Sequence, residues 1–499
     1  MIKRYIFLTV MGVSAVLTSC HKNHFLSPVP STSIADISAF DTPDRVQNQV
    51  KGLYGAAKAG NLFGGRYFIY NDVRADNFIN ETTNGVTAYQ TWNFTVNNNA
   101  QEVTGAWGAA YFAINNCNLF LEGMAAKGTG VVGSALSANY IAEAKFIRAL
   151  CYYSLLQLYA RPYWDGNGSK PGVPLRLTGN KGPGNYDLAR STVDQVYQQI
   201  IKDLDEAEAD LPSTYTGSTT QTYATSTVLN VTRAHKNSAI SLKTRVYLSM
   251  GKYDKVITEA NKIVPATAPF NATSGVAHAL QADITNVFKS PYTTTESILS
   301  FPFASGLDQP GTQNQLGYYF GTSNGSSVAG ANGEFSLYAS GVIADAGWLA
   351  TDRRRSFIYT ATTGKKYLTK YPGGSPFLDY APLIRWSEVL LNLAEARVRV
   401  NNTVDPQAVA LLNAVRNRSD ATVTYTVASF ANAAALITAI LQERNIEFLA
   451  EGRRSPDLLR LGLTIPAKGT VPAIPSTDSR YIWPISALEL LYNHLCTDN

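Results

Sequence analysis

Apolar residues recur at helical spacing along most of the chain. In STVDQVYQQIIKDLDEAEADLP, the residues Val193, Val196, Tyr197, Ile200, Ile201, Leu204 and Leu211 fall on one stripe. That period predicts a helix with one buried face. Ser191, with Asp194 three residues on, marks its start, and Pro212 stops it. Stretches 106–122 (AWGAAYFAINNCNLFLE) and 137–161 (SANYIAEAKFIRALCYYSLLQLYAR, ended by Pro162) carry the same period and predict two more helices.

Further on, the helices come in pairs. RAHKNSAISLKTRVYLSMGKYDKVITEANKIV predicts a helix to Met250, a turn at Gly251 and a second helix to about Val264. IRWSEVLLNLAEARVRV followed by DPQAVALLNAVRNRS repeats the arrangement. Such hairpins resemble tetratricopeptide repeats, which bury their apolar faces only by stacking on one another. Between Pro265 and Pro382 the pattern changes to Gly, Ser, Thr, Asn and aromatics, with short strand-like runs such as SILSFPF. The expected fold is mainly α: a tetratricopeptide-repeat-like scaffold with a long loop-rich region and a few short strands.

The first 25 residues follow other rules. Lys3 and Arg4 precede an apolar run from Tyr5 to Leu17, too short for the ~20 residues of a membrane-spanning helix. The run reads as a secretory signal peptide. LTSC at 17–20 resembles the bacterial lipobox, which places lipidation on Cys20 at the start of the mature chain. Several acyl chains on one residue anchor durably, because each buried methylene contributes ~0.8 kcal/mol. The boundaries expected are a signal peptide at 1–19, a lipidated tether at 20–38 with Pro28 and Pro30, and one folded domain at 39–499, with an N-terminal part to about 265 and a loop-rich C-terminal part from about 266.

Composition narrows the function. Hydrophobic residues make up 45% and charged residues 16%, which is globular and not disordered. A formal charge of +5 over 499 residues is too small to argue for nucleic acid. Besides Cys20 there are only Cys117, Cys151 and Cys496, with no framework spacing, and the first two sit in helical apolar patterns as small core residues. Aromatics reach 11%, which suits a packed helical array or a ring-lined binding surface.

Three stretches then point to a family. AEAKFIRALCYYSLLQLYARPYW at 142–164, YAPLIRWSEVLLNLAEA at 380–396 and ERNIEFLAEGRRSPDLLRLG at 443–462, followed by WPISALELLYN at 483–493, resemble in this order the SusD/RagB family of outer-membrane lipoproteins from Bacteroidota. The resemblance implies a surface protein that binds oligosaccharide nutrients, without a cofactor, metal or catalytic residue. It would deliver them to a SusC-like TonB-dependent transporter as partner. It also implies an outer-membrane location through a lipid anchor, most naturally facing the cell exterior. A peptide-binding RagB-like role is the alternative, and a surface hydrolase is the third class.

A polyhydroxylated ligand needs aromatic faces for its C–H side and amides or charges for its hydroxyls. RYFIYNDVRADNFINETTNGVTAYQTWNF supplies Asp72, Arg74, Asp76, Asn77, Trp92 and Asn93; the loop-rich segment supplies Tyr318, Tyr319 and Trp348. These are the candidate ligand-binding residues. Trp107, Trp164 and Trp386 lie in or beside helical motifs and read as packing.

Other motifs read as structural. Glu443, Glu447 and Glu451 recur every four residues on one helix face, with Arg444, Arg453, Arg454, Arg460 and Asp457 nearby, which predicts an ion-pair network rather than acid/base catalysis. GTGVVG at 128–133 follows a helix, where a dinucleotide fingerprint needs a strand. GTSNG at 321–325 sits in a loop rather than at a nucleophile elbow. His21 and His24 lie in the tether with no further ligand beside them. TDRRRSF at 351–357 reads as a solvated loop anchor.

Overall fold

The computed structural model describes residues 38–216, 224–306, 308–325 and 327–499. The signal peptide, Cys20 and nearly all of the tether lie outside the described residues. No described helix is long and apolar enough to cross a membrane.

The principal helices are α1 (Pro43–Ala57), α2 (Arg66–Val73), α3 (Gln101–Gly123), α4 (Ser134–Tyr159), α5 (Val193–Asp210), α6 (Lys236–Ser249), α7 (Tyr253–Ala260), α8 (Trp386–Asn401), α9 (Pro406–Ser419), α10 (Ala433–Glu447), α11 (Arg454–Arg460) and α12 (Ala487–Tyr492). From α3 to α10 they pack in succession: α3 on α4, α4 on α5, α5 on α6, α6 on α7, α7 on α8, α8 on α9 and α10. The stack expected from the paired apolar stripes is therefore present, and one contiguous core runs through it and into the loop region.

Local chemistry explains the helix ends. α5 starts one residue later than Ser191 suggested: Thr192 accepts from the Gln195 N–H at 3.2 Å while the Gln195 side chain accepts from the Thr192 N–H at 2.9 Å. This reciprocal box is worth about 1 kcal/mol. Its apolar stripe faces α4, except that Ile201 is only half-buried. Asp203 lies on the same face, where Arg148 of α4 grips it at 2.7 and 2.8 Å. Asp405 caps α9 through the Ala408 N–H, and Pro406 fits the first turn, where no N–H partner is needed.

The sheets are small antiparallel pairs: β1 (Phe78–Asn80) with β3 (Phe335–Leu337), β2 (Ser297–Phe301) with β6 (Ala381–Arg385), and β4 (Ile358–Thr360) with β5 (Lys366–Leu368). β2 is the strand expected from SILSFPF. β1 and β3 join residues more than two hundred positions apart, with Phe78 opposite Leu337 and Asn80 opposite Phe335, so the 66–94 segment and the central loops share one surface.

Candidate ligand-binding surface

Every titratable group on the expected carboxylate row is spoken for. α10 ends at Glu447, so Glu451 does not continue its face; the chain turns through Ala450 (φ 64°) and Gly452 (φ 69°) instead. The carboxylates nevertheless form the expected ion-pair network, with cations from distant segments rather than from the neighbouring arginines. Arg354 meets Glu443 at 2.5 Å and Glu447 at 2.9 Å; Arg385 reaches Glu296, Glu447 and Glu451; Arg418 joins Glu296 to Glu447; Lys370 holds Glu451 at 2.5 Å. Burial alone would raise the Glu447 carboxyl, but Arg418, Arg385 and Arg354 outweigh it and hold Glu447 well below the usual carboxylate range. Arg444 and Arg460 instead clasp Asp457, Arg460 also holds Glu395, and Arg454 holds Asp76. Arg354 thus corrects the solvated reading of TDRRRSF: it is buried, and only Arg353 extends outward, to Asp283.

The decoy motifs stay structural. Residues 128–133 close a helical turn and short helix after α3, not a strand. Ser323 follows a short helix, and His494 pairs with Asp187 at 3.3 Å near the C-terminus. Asp205, Glu208 and Glu259 approach one another closely enough to suggest a cation, but Lys243 already lies among all three.

The candidate binding residues divide sharply. Asp72, Arg74, Asn77, Trp92, Tyr319 and Trp348 are buried and offer no open face to a ligand, which corrects their expected contact role. Their polar atoms serve the interior. Asp72 accepts from the Gly452 N–H; a Cβ on Gly452 would lie 2.9 Å from the Phe68 Cα, so only glycine admits this approach. Arg74 donates to the Tyr481 carbonyl, and Asn77 to Asn445 at 2.7 Å. The Trp92 indole donates to the Phe78 carbonyl at 2.9 Å, and the buried Lys468 ammonium, which caps the carbonyls of Val73, Arg74 and Ala75 at the end of α2, lies 5.9 Å from its ring. Trp348 stacks under Arg355 at 4.2 Å. Asp76, Asn93 and Tyr318 remain partly accessible; Asp76 is bound to Arg454, and Asn93 accepts from Thr95. Of the packing tryptophans, Trp107 and Trp386 are buried, whereas Trp164 is 41% exposed.

What faces solvent instead is the rim of a polar cluster over the β1–β3 pair, where Asn332 and Lys365 are exposed and Glu81 and Asn84 partly accessible. Buried Glu334 on the loop before β3 accepts from Thr82, from Asn84 at 3.0 Å and from Asn332 at 2.5 Å. Glu81 accepts from Ser336 at 2.5 Å and pairs with exposed Lys365. Half-buried Tyr318 stands beside this cluster, its ring edge-on to Tyr319 at 5.1 Å, and half-exposed Tyr89 stacks against Trp92 at 6.2 Å. Asn84, Asn332, Glu334 and Lys365 escaped the sequence reading because isolated Asn, Glu and Lys in loops carry no periodic signal. Only the strand pairing collects them.

Two family models match: one described as starch-binding, associating with the outer membrane, over residues 25–248, and the SusD family model over residues 354–490. A SusD superfamily protein from Bacteroides fragilis shares 32% identity, with 92% of this chain and 99% of that one aligned, at a TM-score of 0.78. The chain belongs to the SusD family. SusD-like protein P2 of Formosa agariphila is 24% identical over 93% of both chains. A laminarin-binding SusD-like protein shares the fold at TM-score 0.69 and 20% identity, over 92% of this chain and 99% of that one. As a SusD-like protein it is carbohydrate-binding and associated with the outer membrane. The helical stack is the family's scaffold, and the β1–β3 surface is carried beside it on loops that the repeat leaves free.

Proposed function

We propose that this SusD-like protein captures neutral oligosaccharides on the β1–β3 surface and passes them to a SusC-like TonB-dependent transporter without breaking a bond. The observation that carries the reading is the cluster of Asn84, Asn332, Glu81 and Lys365 beside Tyr318, held from beneath by buried Glu334: amide and charged groups for hydroxyls next to an aromatic ring. The carboxylates that could serve as an acid/base pair are buried and ion-paired, which supports binding over hydrolysis. Lipidation at Cys20 holds the protein at the outer membrane, facing outward. The laminarin-binding relative of the same fold supports a glucan as the first ligand to try.

The test is affinity electrophoresis of the purified protein in gels containing laminarin, starch or xylan, with product analysis of the same glycans. Retarded migration with no release of shorter sugars supports the reading. Release of shorter products makes the protein an enzyme, and retention by peptides alone makes it a peptide binder.

A further inference from the structure

A concavity elsewhere on the chain shares no lining residue with the β1–β3 surface. It has a volume of about 410 Å³, within the range of small-ligand sites of roughly 300–1,000 Å³. Three segments far apart in sequence build it: α3, the loop around 174–188, and α12.

Its walls combine rings and amides. Tyr111, tilted against Trp107 at 4.9 Å, Tyr186 and Tyr492 contribute the rings. Tyr186 and Tyr492 are 37% and 74% exposed, so their faces are open to a ligand. Asn115 exchanges two hydrogen bonds with the Asn180 backbone, at 2.7 and 3.2 Å, and Asn118 holds the Arg176 carbonyl at 2.9 Å. These bonds fix the loop before any ligand arrives, which lowers the ordering cost of binding.

The charge balance selects the ligand. Arg176 and Glu489 are the only ionic side chains in the lining, and they pair at 2.8 Å. Glu489 also accepts from Trp107 at 3.2 Å and from Asn493 at 2.6 Å. An anionic ligand would have to separate this pair, whereas a neutral polyhydroxylated one meets rings and amides that are already in place.

We infer that the cleft between α3, the 174–188 loop and α12 is a second binding site for a short stretch of neutral oligosaccharide. This inference rests on the proposed glycan-binding function. The test titrates laminarihexaose, maltohexaose, cellohexaose and xylohexaose, with a polygalacturonate oligomer as the anionic control, by calorimetry into the whole protein, the Tyr186→Ala/Tyr492→Ala variant and the surface variant Asn332→Ala. Hydrogen exchange of segment 174–188 is followed at saturating ligand, a readout that needs no mutation. The expected result is two sites per chain for at least one neutral hexasaccharide, protection of 174–188, and an affinity at one site about tenfold weaker in the tyrosine variant. Binding that leaves 174–188 unprotected and survives the tyrosine substitutions overturns the cleft while leaving the proposed function standing, and binding there of the anionic oligomer alone overturns the ligand class. Failure of every glycan to bind the unaltered protein overturns both.

Discussion

Arg385 grips Glu451 at two points, Nε to Oε2 at 2.7 Å and Nη2 to Oε1 at 2.8 Å, although the residues stand 66 positions apart. The pair joins the start of α8 to the turn after α10, and Arg385 also reaches Glu296 and Glu447. All four side chains are buried. Removing the cation strips one of the partners from each of three buried carboxylates, and breaking a buried pair in this way costs about 3–5 kcal/mol. Arg385→Met is therefore expected to lower the unfolding free energy by that order in urea titration. A loss below about 1 kcal/mol would mean that the network contributes little.

Asp72 sets a pH dependence of its own. Burial pushes its carboxyl up to about 7 from 3.8, against the pull of the Gly452 N–H and Lys370. The folded protein keeps a proton that the unfolded chain releases, so this contribution is complete below pH 3.8 and is lost as pH rises through about 7. Stability should decline between those limits by on the order of 1 kcal/mol per pH unit. Urea midpoints of Asp72→Asn across that range should show a flatter profile than those of the parent.

Glu388 acts in the opposite direction at the acid end. Burial opposes its ionisation, yet Arg245 and Arg453 hold its carboxyl at about 2, below the ordinary 4.5. Its contribution is present above pH 4.5 and is lost as pH falls towards 2. Glu388→Gln should lose stability at neutral pH and flatten the acid limb of the same titration.

Trp92 and Asn332 separate packing from binding. Trp92 is buried and its N–H is engaged, so Trp92→Ala should cost about 3–5 kcal/mol in unfolding. Asn332 is exposed but donates to the buried Glu334 carboxylate, so Asn332→Ala should cost about 1 kcal/mol, well short of the Trp92 variant, while weakening retention on laminarin gels. Full retention by the Asn332 variant would count against the β1–β3 surface.

The helices were legible because their causes are local. The α5 stripe, the turn at Gly251 and the Asp405–Pro406 start of α9 act within a few residues of chain, and the observed elements follow them closely. Even so, the α5 cap moved from Ser191 to Thr192, since two neighbouring hydroxyls look alike until the backbone chooses one.

By itself, the sequence determined the stack of helical hairpins, its family and the structural character of the carboxylate row. Only the tertiary structure decided which polar and aromatic residues meet water. Asp72 looks like a ligand contact until Gly452, 380 positions away, closes over it, and Asn84 and Asn332 gather on buried Glu334 only where β1 meets β3. The reason is physical: helical periodicity is set by neighbours along the chain, whereas exposure is set by whichever distant segment packs on top.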